Sequence, residues 1–142
     1  MVGWVASMLV RRSLRMHQAG DVEGLLKTYA DDVHFVFPGN NSWATEIRGK
    51  DKLEPWLRRF HAVGLKLVVH DILVGGPPWN MRVCIQFTDH ASDADGRAVY
   101  ENTGVIYAKG RWGKIVDYTV FEDTEKVAEF DKYLAERERS SA

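Results

Sequence analysis

The segment Tyr29–Gly39, YADDVHFVFPG, contains the point at which a helix gives way to a strand. Val33, Phe35 and Phe37 alternate with His34 and Val36, and this period of two is typical of a strand. The Pro-Gly pair that closes the segment ends this strand. The residues before it have helical spacing, so the segment predicts a fold that mixes helices and strands.

Asp31 and Asp32 stand side by side at this change and could be paired acids of an active site. Adjacent residues on a strand point to opposite faces of a sheet, so these two cannot form a facing pair. We therefore expect Asp31 and Asp32 to end the helix and to face solvent, and the catalytic groups to be other residues.

The remaining elements follow from the same kinds of pattern. Four helices are predicted, at about Val5–Gln18, at Val22–Ala30 with Asp21 as N-cap, around Leu53–Phe60 beginning close before Pro55, and at Thr124–Glu138. Four further strands are predicted at Leu65–Val74, Asn80–His90, Ala98–Gly110 and Gly113–Asp123. The tail Arg139–Ala142 is expected to fray. The order is α-α-β-α-β-β-β-β plus a C-terminal helix, which predicts an α+β fold with a curved antiparallel sheet around packed N-terminal helices.

Composition narrows the possible functions. With 142 residues, 45% hydrophobic and 27% charged, the chain is expected to form a single domain over residues 1–142. A net charge of -1 argues against a nucleic-acid surface. No apolar stretch approaches the length of a membrane helix, the N-terminus lacks the charge order of a secretory signal, and Cys84 is the single cysteine. We expect a cytoplasmic protein that does not bind a membrane.

Neither a metal nor a cofactor is expected. The five histidines are scattered, and none has the spacing of a metal-ligand pair. The sequence also lacks a glycine-rich phosphate loop and a dinucleotide fingerprint.

Three segments, AGDVEGLLKTYADDVHFVFPG, RGKDKLEPWLRRF and WGKIVDYTVFEDTEKV, resemble the nuclear-transport-factor-2-like superfamily in its SnoaL-like branch. The resemblance implies a cone-shaped half-barrel with an apolar pocket, often in a dimer. Such proteins include ketosteroid isomerase, polyketide cyclases, dehydratases and limonene epoxide hydrolase, and others only bind ligands or proteins. The fold therefore leaves the chemistry open.

The isomerase relatives carry their catalytic base just before the proline of the first strand, where this chain has Phe37. Their first-helix tyrosine aligns near Ser13, and their second oxyanion donor aligns near Asn102. Because a phenyl ring cannot accept a proton, steroid isomerisation is not expected.

The epoxide hydrolase relatives use an arginine, a nearby aspartate and a second aspartate at the end of the last strand. Arg82 and Asp123 match the first and third of these, whereas Cys84 stands at the middle position. The pocket is therefore expected to be drier and less acidic than in the isomerase or hydrolase relatives and to keep one carboxylate, Asp123. Asp123→Asn would then abolish turnover while barely changing the affinity for an apolar ligand.

These matches define the candidate site. The candidate catalytic residues are Asp123, Arg82 and His34, and the candidate substrate-binding residues are Tyr100, Asn102, Phe37, Trp43, Trp56 and Cys84.

Each candidate also has a structural interpretation. Asp123 could cap the last helix, Arg82 and Cys84 could face solvent, and Tyr100 and Asn102 could form a hydrogen-bonding pair.

The functional hypothesis is a cofactor-independent enzyme that uses acid–base catalysis on a small, largely apolar molecule, by isomerase, cyclase, lyase or hydrolase chemistry. The alternative is a non-catalytic small-molecule binding domain of the same fold. A homodimer is expected through the open sheet face, which carries Val68 and Ile72, or Val99 and Val105.

Overall fold

The computed structural model describes residues 2–141, and the side chains of residues 7–141. It confirms the α+β class. The elements are α1 (Val2–Ala19), α2 (Val22–Thr28), β1 (Tyr29–Phe37), β2 (Thr45–Arg48), α3 (Lys50–Ala62), β3 (Lys66–Gly75), β4 (Met81–Ser92), β5 (Ala98–Arg111), β6 (Lys114–Glu122) and α4 (Thr124–Ser141).

The six strands form one sheet in the order β2-β1-β6-β5-β4-β3. Neighbouring strands are antiparallel except β1 and β6, which run parallel. Because β1 lies beside the last strand of the chain, the sheet brings the N-terminal and C-terminal segments together. Among residues 2–141, no helix is long and apolar enough to cross a membrane.

The C-terminal ends of α2 and α4 differ from the ends predicted from the spacing of apolar residues. Asp21 accepts a hydrogen bond from the Gly24 amide at 2.9 Å and starts α2, as predicted. The same helix ends at Thr28, because Tyr29 takes up extended backbone angles and opens β1. The predicted fraying is wrong for residues 139–141, since α4 continues to Ser141; Ala142 lies outside the described residues.

The inner face of the sheet packs against the helices. Val33, Phe35, Leu53 and Leu57 are at most 1% exposed and form the centre of this core. The period-two prediction for β1 is confirmed, because Val33, Phe35 and Phe37 are all buried. The ring of Trp56 lies 4.8 Å from that of Phe35, which ties α3 to the first strand.

An irregularity in β3 changes which residues face outward. The register between β3 and β4 shifts between Val69 and Asp71, so Ile72 pairs with the buried Ile85 on the inner face. The predicted exposure of Ile72 is therefore wrong, whereas Val68 is exposed as predicted. Val99 also packs against the core. A bulge of this kind moves every following side chain to the other face.

Candidate functional site

Two cavities lie on the inner side of the sheet. The larger, of about 440 Å³, lies between the sheet and the helices α1 and α2. The smaller, of about 30 Å³, lies among core residues of the sheet and of α3. His17, Tyr29 and Tyr118 line both cavities and therefore form the partition between them.

The smaller cavity contains two carboxyl groups, Asp89 from β4 and Glu122 from β6. Asp89 is 4% exposed, and each carboxyl lies close enough to the other to shift its pKa. In residues 7–141, Asp89 Oδ1 and Glu122 Oε2 are buried without a hydrogen-bond partner. Two ionised carboxylates can only accept hydrogen bonds, so a hydrogen bond between them would need a proton on one of them.

Burial raises the pKa of both groups of this Asp89–Glu122 pair. Desolvation is the main cause for each, and the charge of Asp89 raises the pKa of Glu122 further. Like charges at such close range cannot both ionise at low cost, so the pair keeps a proton at neutral pH. It can therefore donate a proton from one carboxyl and accept one at the other.

The intervening strand explains why these groups meet. In the strand ladders, Asp89 is paired with Asn102 of β5, and Glu122 is paired with Gly104, two residues further along the same strand. Residues two apart lie on the same face, so all four positions point inward. The carboxyls thus approach each other from opposite sides of β5.

An amide and a phenol support the pair. Asn102 Nδ2 donates to the Tyr100 hydroxyl at 3.0 Å and to the Asp123 carbonyl oxygen at 2.9 Å. Hydrogen bonding between Tyr100 and Glu122 partly opposes the rise in the Glu122 pKa. The Tyr100 ring stacks on Phe130 of α4 at 4.5 Å, which fixes its position. This confirms that Tyr100 and Asn102 are hydrogen-bonded to each other, and it places them beside the carboxyl pair.

The partition is uncharged at neutral pH. Burial, helped by nearby His61, lowers the pKa of His17 to about 4. Burial also raises the pKa values of Tyr29 and Tyr118, and the proximity of Glu122 adds to the rise for Tyr118. A molecule in the larger cavity therefore faces neutral side chains on the way to the pair.

Asp123 lies one residue beyond the pair and has a different environment. Its Oδ1 accepts hydrogen bonds from the Glu125 and Lys126 amides at 3.0 and 3.3 Å. These are free amides of the first turn of α4, so Asp123 acts as its N-cap. Its side chain is exposed and lines neither cavity.

Arg82 and Cys84 lie on the outer face of the sheet. Both alternate with the buried Val83 and Ile85 of β4. Arg82 Nη1 donates to the Tyr107 hydroxyl at 2.9 Å. The predicted pairing of Arg82 with Asp123 is therefore wrong: one is on the outer face and the other caps a helix.

His34 also lies on the outer face. Its ring nitrogens lie 2.8 Å from Glu46 Oε1 and 3.2 Å from Asp117 Oδ1. The site residues predicted from sequence are thus divided between the two faces of the sheet. In the part of the chain that the structure describes, no group of three His, Cys, Asp or Glu side chains could hold a metal ion.

The predicted aromatic residues are divided in the same way. Phe37 and Trp56 line the smaller cavity. Trp43 is 2% exposed and lines neither cavity, because it packs edge-on against Trp56 and beneath the Arg59 guanidinium. Its carbonyl oxygen accepts a hydrogen bond from the Trp56 indole at 3.0 Å. Trp43 therefore holds Trp56 in place.

Sequence reasoning missed Asp89 and Glu122, although strand parity pointed to both. Val83, Ile85 and Phe87 alternate along the inner face, and Asp89 is the next residue of that series. A carboxylate in an apolar series is the signal that could have found it. The expectation of a single pocket carboxylate at Asp123 is wrong, because the smaller cavity contains two others.

Comparison with known proteins agrees with this architecture. Residues 10–118 match the family model of the SnoaL-like domain. The chain therefore belongs to the SnoaL-like domain family, as the resemblance predicted. No curated protein matches it.

Solved structures with the same fold have low sequence identity to this chain. Bal32a, from a soil-derived mobile gene cassette, is 19% identical with a TM-score of 0.76, over 88% of this chain and 95% of that one. TerC, co-crystallised with polyporic acid, is 20% identical with a TM-score of 0.73, over 88% and 96%. A putative polyketide cyclase from Xanthomonas campestris pv. campestris is 18% identical with a TM-score of 0.66, over 90% and 97%. At these identities the likeness shows the fold alone.

Proposed function

We propose that this chain is a cofactor-independent enzyme that transfers protons on a small, largely apolar molecule, with the Asp89–Glu122 pair as its acid and base. The observation that carries the proposal is the placement of two carboxyl groups in one cavity, where Asp89 Oδ1 and Glu122 Oε2 are buried without a hydrogen-bond partner among residues 7–141. Groups with strongly perturbed pKa values inside a cavity are characteristic of catalytic sites. The putative polyketide cyclase that shares this fold is named for chemistry of the same class.

In this mechanism the ionised carboxyl removes a proton from the substrate, and the protonated carboxyl returns one to another atom. Tyr100, held by Asn102, keeps Glu122 in position during both steps. The neutral partition places no competing charge on the path. General acid–base help of this kind is worth roughly 10²–10⁴-fold in rate. Isomerisation moves a double bond by two such proton transfers. In an aldol-type cyclisation the first transfer generates the carbanion that attacks a carbonyl carbon of the same molecule, and the second protonates the alkoxide that results.

Deuterium exchange tests this proposal without knowledge of the natural substrate. A panel of enolisable cyclic and aromatic ketones is incubated with the protein in heavy water, and deuterium uptake is followed by mass spectrometry. We expect uptake to be catalysed by the native chain and to fall at least about 100-fold in Glu122→Gln and Asp89→Asn. Glu138→Gln, an exposed change on α4, serves as the matched control. Equal uptake in all four proteins would remove the pair from catalysis.

A non-catalytic small-molecule binding domain is the second candidate, and the partition favours it. His17, Tyr29 and Tyr118 stand between the larger cavity and the pair, whose own cavity of about 30 Å³ holds little more than a water molecule. A ligand confined to the larger cavity would not touch the carboxyls. Ligands that bind tightly but exchange no hydrogen would support this candidate. TerC was co-crystallised with a small molecule, which is in keeping with ligand binding by this fold.

We also propose a homodimer through the outer face of the sheet. Leu73 and Tyr107 flank Cys84 on neighbouring strands, and Phe121 lies beside Val105. Leu73 is 64% exposed and Phe121 is 56% exposed, so the face presents apolar surface that a second copy would cover.

Light scattering at micromolar concentration tests the dimer, which should dissociate in the double variant Leu73→Asp/Phe121→Asp. A monomeric native chain would contradict it.

The chain is proposed to act as one domain in the cytoplasm, a location supported only by its single cysteine. Fractionation of the producing cells tests that location.

A further inference from the structure

We infer that the larger cavity binds an amphiphilic anion, with an apolar body inside the cavity and one anionic group held at the mouth by Arg12, Lys27 and Lys114. The inference rests on the proposed function in placing the ligand in this cavity, with its apolar end towards the Asp89–Glu122 pair. It adds the chemical class of the ligand, which the proposed function leaves open.

The interior of the larger cavity is suited to an apolar body. Its walls include Val10 and Leu14 from α1, Leu25 from α2, and Val83 and Ile85 from β4. A volume of about 440 Å³ is within the range of small-molecule sites. Burying an ionised carboxylate among these side chains without a partner is strongly unfavourable, so an ionised group must remain at the mouth.

The charged residues around the cavity are mostly cationic. Arg12 from α1, Lys27 from α2 and Lys114 from β6 line it and are exposed to solvent. Lys109 also lines the cavity, but its ladder partners, Arg82 and Asp117, are outer-face residues. Lys109 is therefore not part of the proposed anion site. Three exposed cations in one cavity lining contrast with a net charge of -1 for the whole chain.

These cations are not neutralised by the protein itself. In residues 7–141, none of the three forms an ion pair with a carboxylate. Asp21 is the one acidic residue in the lining, and its side chain is already bonded to the Gly24 amide as the cap of α2. Three cations and one carboxylate leave the lining with a net positive charge, which attracts an anion.

One contact fixes a cation at the opening. The Lys114 ammonium donates to the Lys27 carbonyl oxygen and so spans the gap between β6 and the end of α2. An ammonium has three donors, which leaves two for a ligand anion. An anion held there would orient the ligand with its other end towards the partition of His17, Tyr29 and Tyr118. The reacting atoms would then be those furthest from the anionic group.

Calorimetric titration with ligands that share one alkyl chain tests the inference. Decanoate, decyl phosphate, 1-decanol and decylammonium differ only in the head group, and the two anions distinguish a carboxylate from a phosphate site. We expect at least one anion to bind about tenfold more tightly than 1-decanol, and decylammonium to bind most weakly. The preference should shrink as salt is added, because salt screens exposed charges.

Variants locate the anion at the mouth. Arg12→Gln/Lys27→Gln should remove most of the preference for the anion while leaving the affinity for 1-decanol unchanged. Lys52→Gln/Lys132→Gln removes two exposed lysines of α3 and α4 that line neither cavity, and should change nothing. Equal binding of alcohol and anions by the native chain, or an equal loss in both double variants, would overturn the inference.

The outcomes for ligand class and for catalysis can be separated. If anions are preferred but no bound ligand exchanges hydrogen, the ligand class stands and catalysis by the pair fails. If neutral ketones exchange and anions have no advantage, catalysis stands and the ligand class fails.

Discussion

A β-carbon at Gly104 would lie 2.7 Å from the β-carbon of Glu122, its partner across the β5–β6 ladder. It would also lie 2.5 Å from the Phe121 carbonyl oxygen and 2.9 Å from the Phe87 ring. Contacts this short do not occur in folded proteins, so only glycine fits here. The missing side chain provides the space in which Glu122 reaches Asp89.

Gly104→Ala is therefore expected to destabilise the fold by about 1–3 kcal/mol, the usual cost of overpacking a core. The strand backbone at Phe121 must move, because a carbonyl oxygen cannot rotate away as a flexible side chain can. Urea unfolding followed by circular dichroism measures the loss. Gly75→Ala is the control, since a β-carbon there meets no atom within 4 Å. Equal midpoints for both variants would show that the space beside Glu122 is not restricted.

The raised pKa values of Asp89 and Glu122 make the stability of the fold depend on pH in a defined direction. A carboxyl of the unfolded chain loses its proton near pH 4, whereas burial keeps a proton on the folded pair to higher pH. Between these limits the folded state binds more protons, so the free energy of unfolding falls as pH rises. This contribution is fully present below the unfolded pKa and is lost as the pH rises through the folded values.

His17 has the opposite effect at lower pH. Because its pKa is lowered from 6.5 to about 4, it makes the free energy of unfolding rise with pH across that window. The measurement therefore belongs between about pH 6.5 and pH 9, below the ionisation of unfolded tyrosines.

In that range we expect the free energy of unfolding to fall by at most about 1.4 kcal/mol per pH unit for each retained proton. Glu122→Gln should flatten the dependence. Tyr100 and Tyr118 face the pair but stay protonated in both states at these pH values. A native curve that is flat or rises with pH contradicts a shared proton.

Asn102 is expected to be the most sensitive uncharged residue of the site. It is 2% exposed, and both of its donor positions are used, on Tyr100 and on the Asp123 carbonyl. Asn102→Ala leaves these acceptors unpaired, which costs about 1–3 kcal/mol for a buried group. Thermal unfolding of this variant beside Thr103→Ala, its exposed neighbour, measures the difference. A loss no larger than that of Thr103→Ala would mean that water replaces the amide.

The sequence predicted the elements well where the information is local. The spacing of Val33, Phe35 and Phe37 defines β1 without reference to any other strand. The irregularity between Val69 and Asp71 could not be predicted in this way, because it depends on how β3 pairs with β4. It reversed the predicted direction of Ile72.

The candidate site was predicted less well for a related reason. Asp89 and Glu122 are far apart in the chain, and their meeting depends on the register of β5 between them. The last strand was expected to contribute a pocket carboxylate, which was assigned to Asp123. A shift of one residue moves a strand side chain to the other face, and Glu122, one residue earlier, is the residue that points inward.

The assignment of Asp123 as the cap of α4 leads to the last prediction. Asp123→Ala should lower stability by about 1 kcal/mol, because two amides of the first turn lose their acceptor. Asp123→Asn should cost much less, since asparagine caps helices about as well as aspartate. Neither change should alter ligand affinity or deuterium uptake.

Paired measurements of stability and exchange on the two variants test this assignment. A helix cap depends on the acceptor oxygen, which both aspartate and asparagine provide, whereas an acid or base depends on the ionisable group, which only aspartate provides. The free energy of unfolding should therefore decrease from the native chain to Asp123→Asn and then to Asp123→Ala, while the rate of deuterium uptake stays constant. If Asp123→Asn keeps the native melting temperature but loses exchange, the carboxyl of Asp123 takes part in proton transfer. Catalysis would then involve a residue directly after β6 that lines neither cavity, and α4 would have to move to bring it to the substrate.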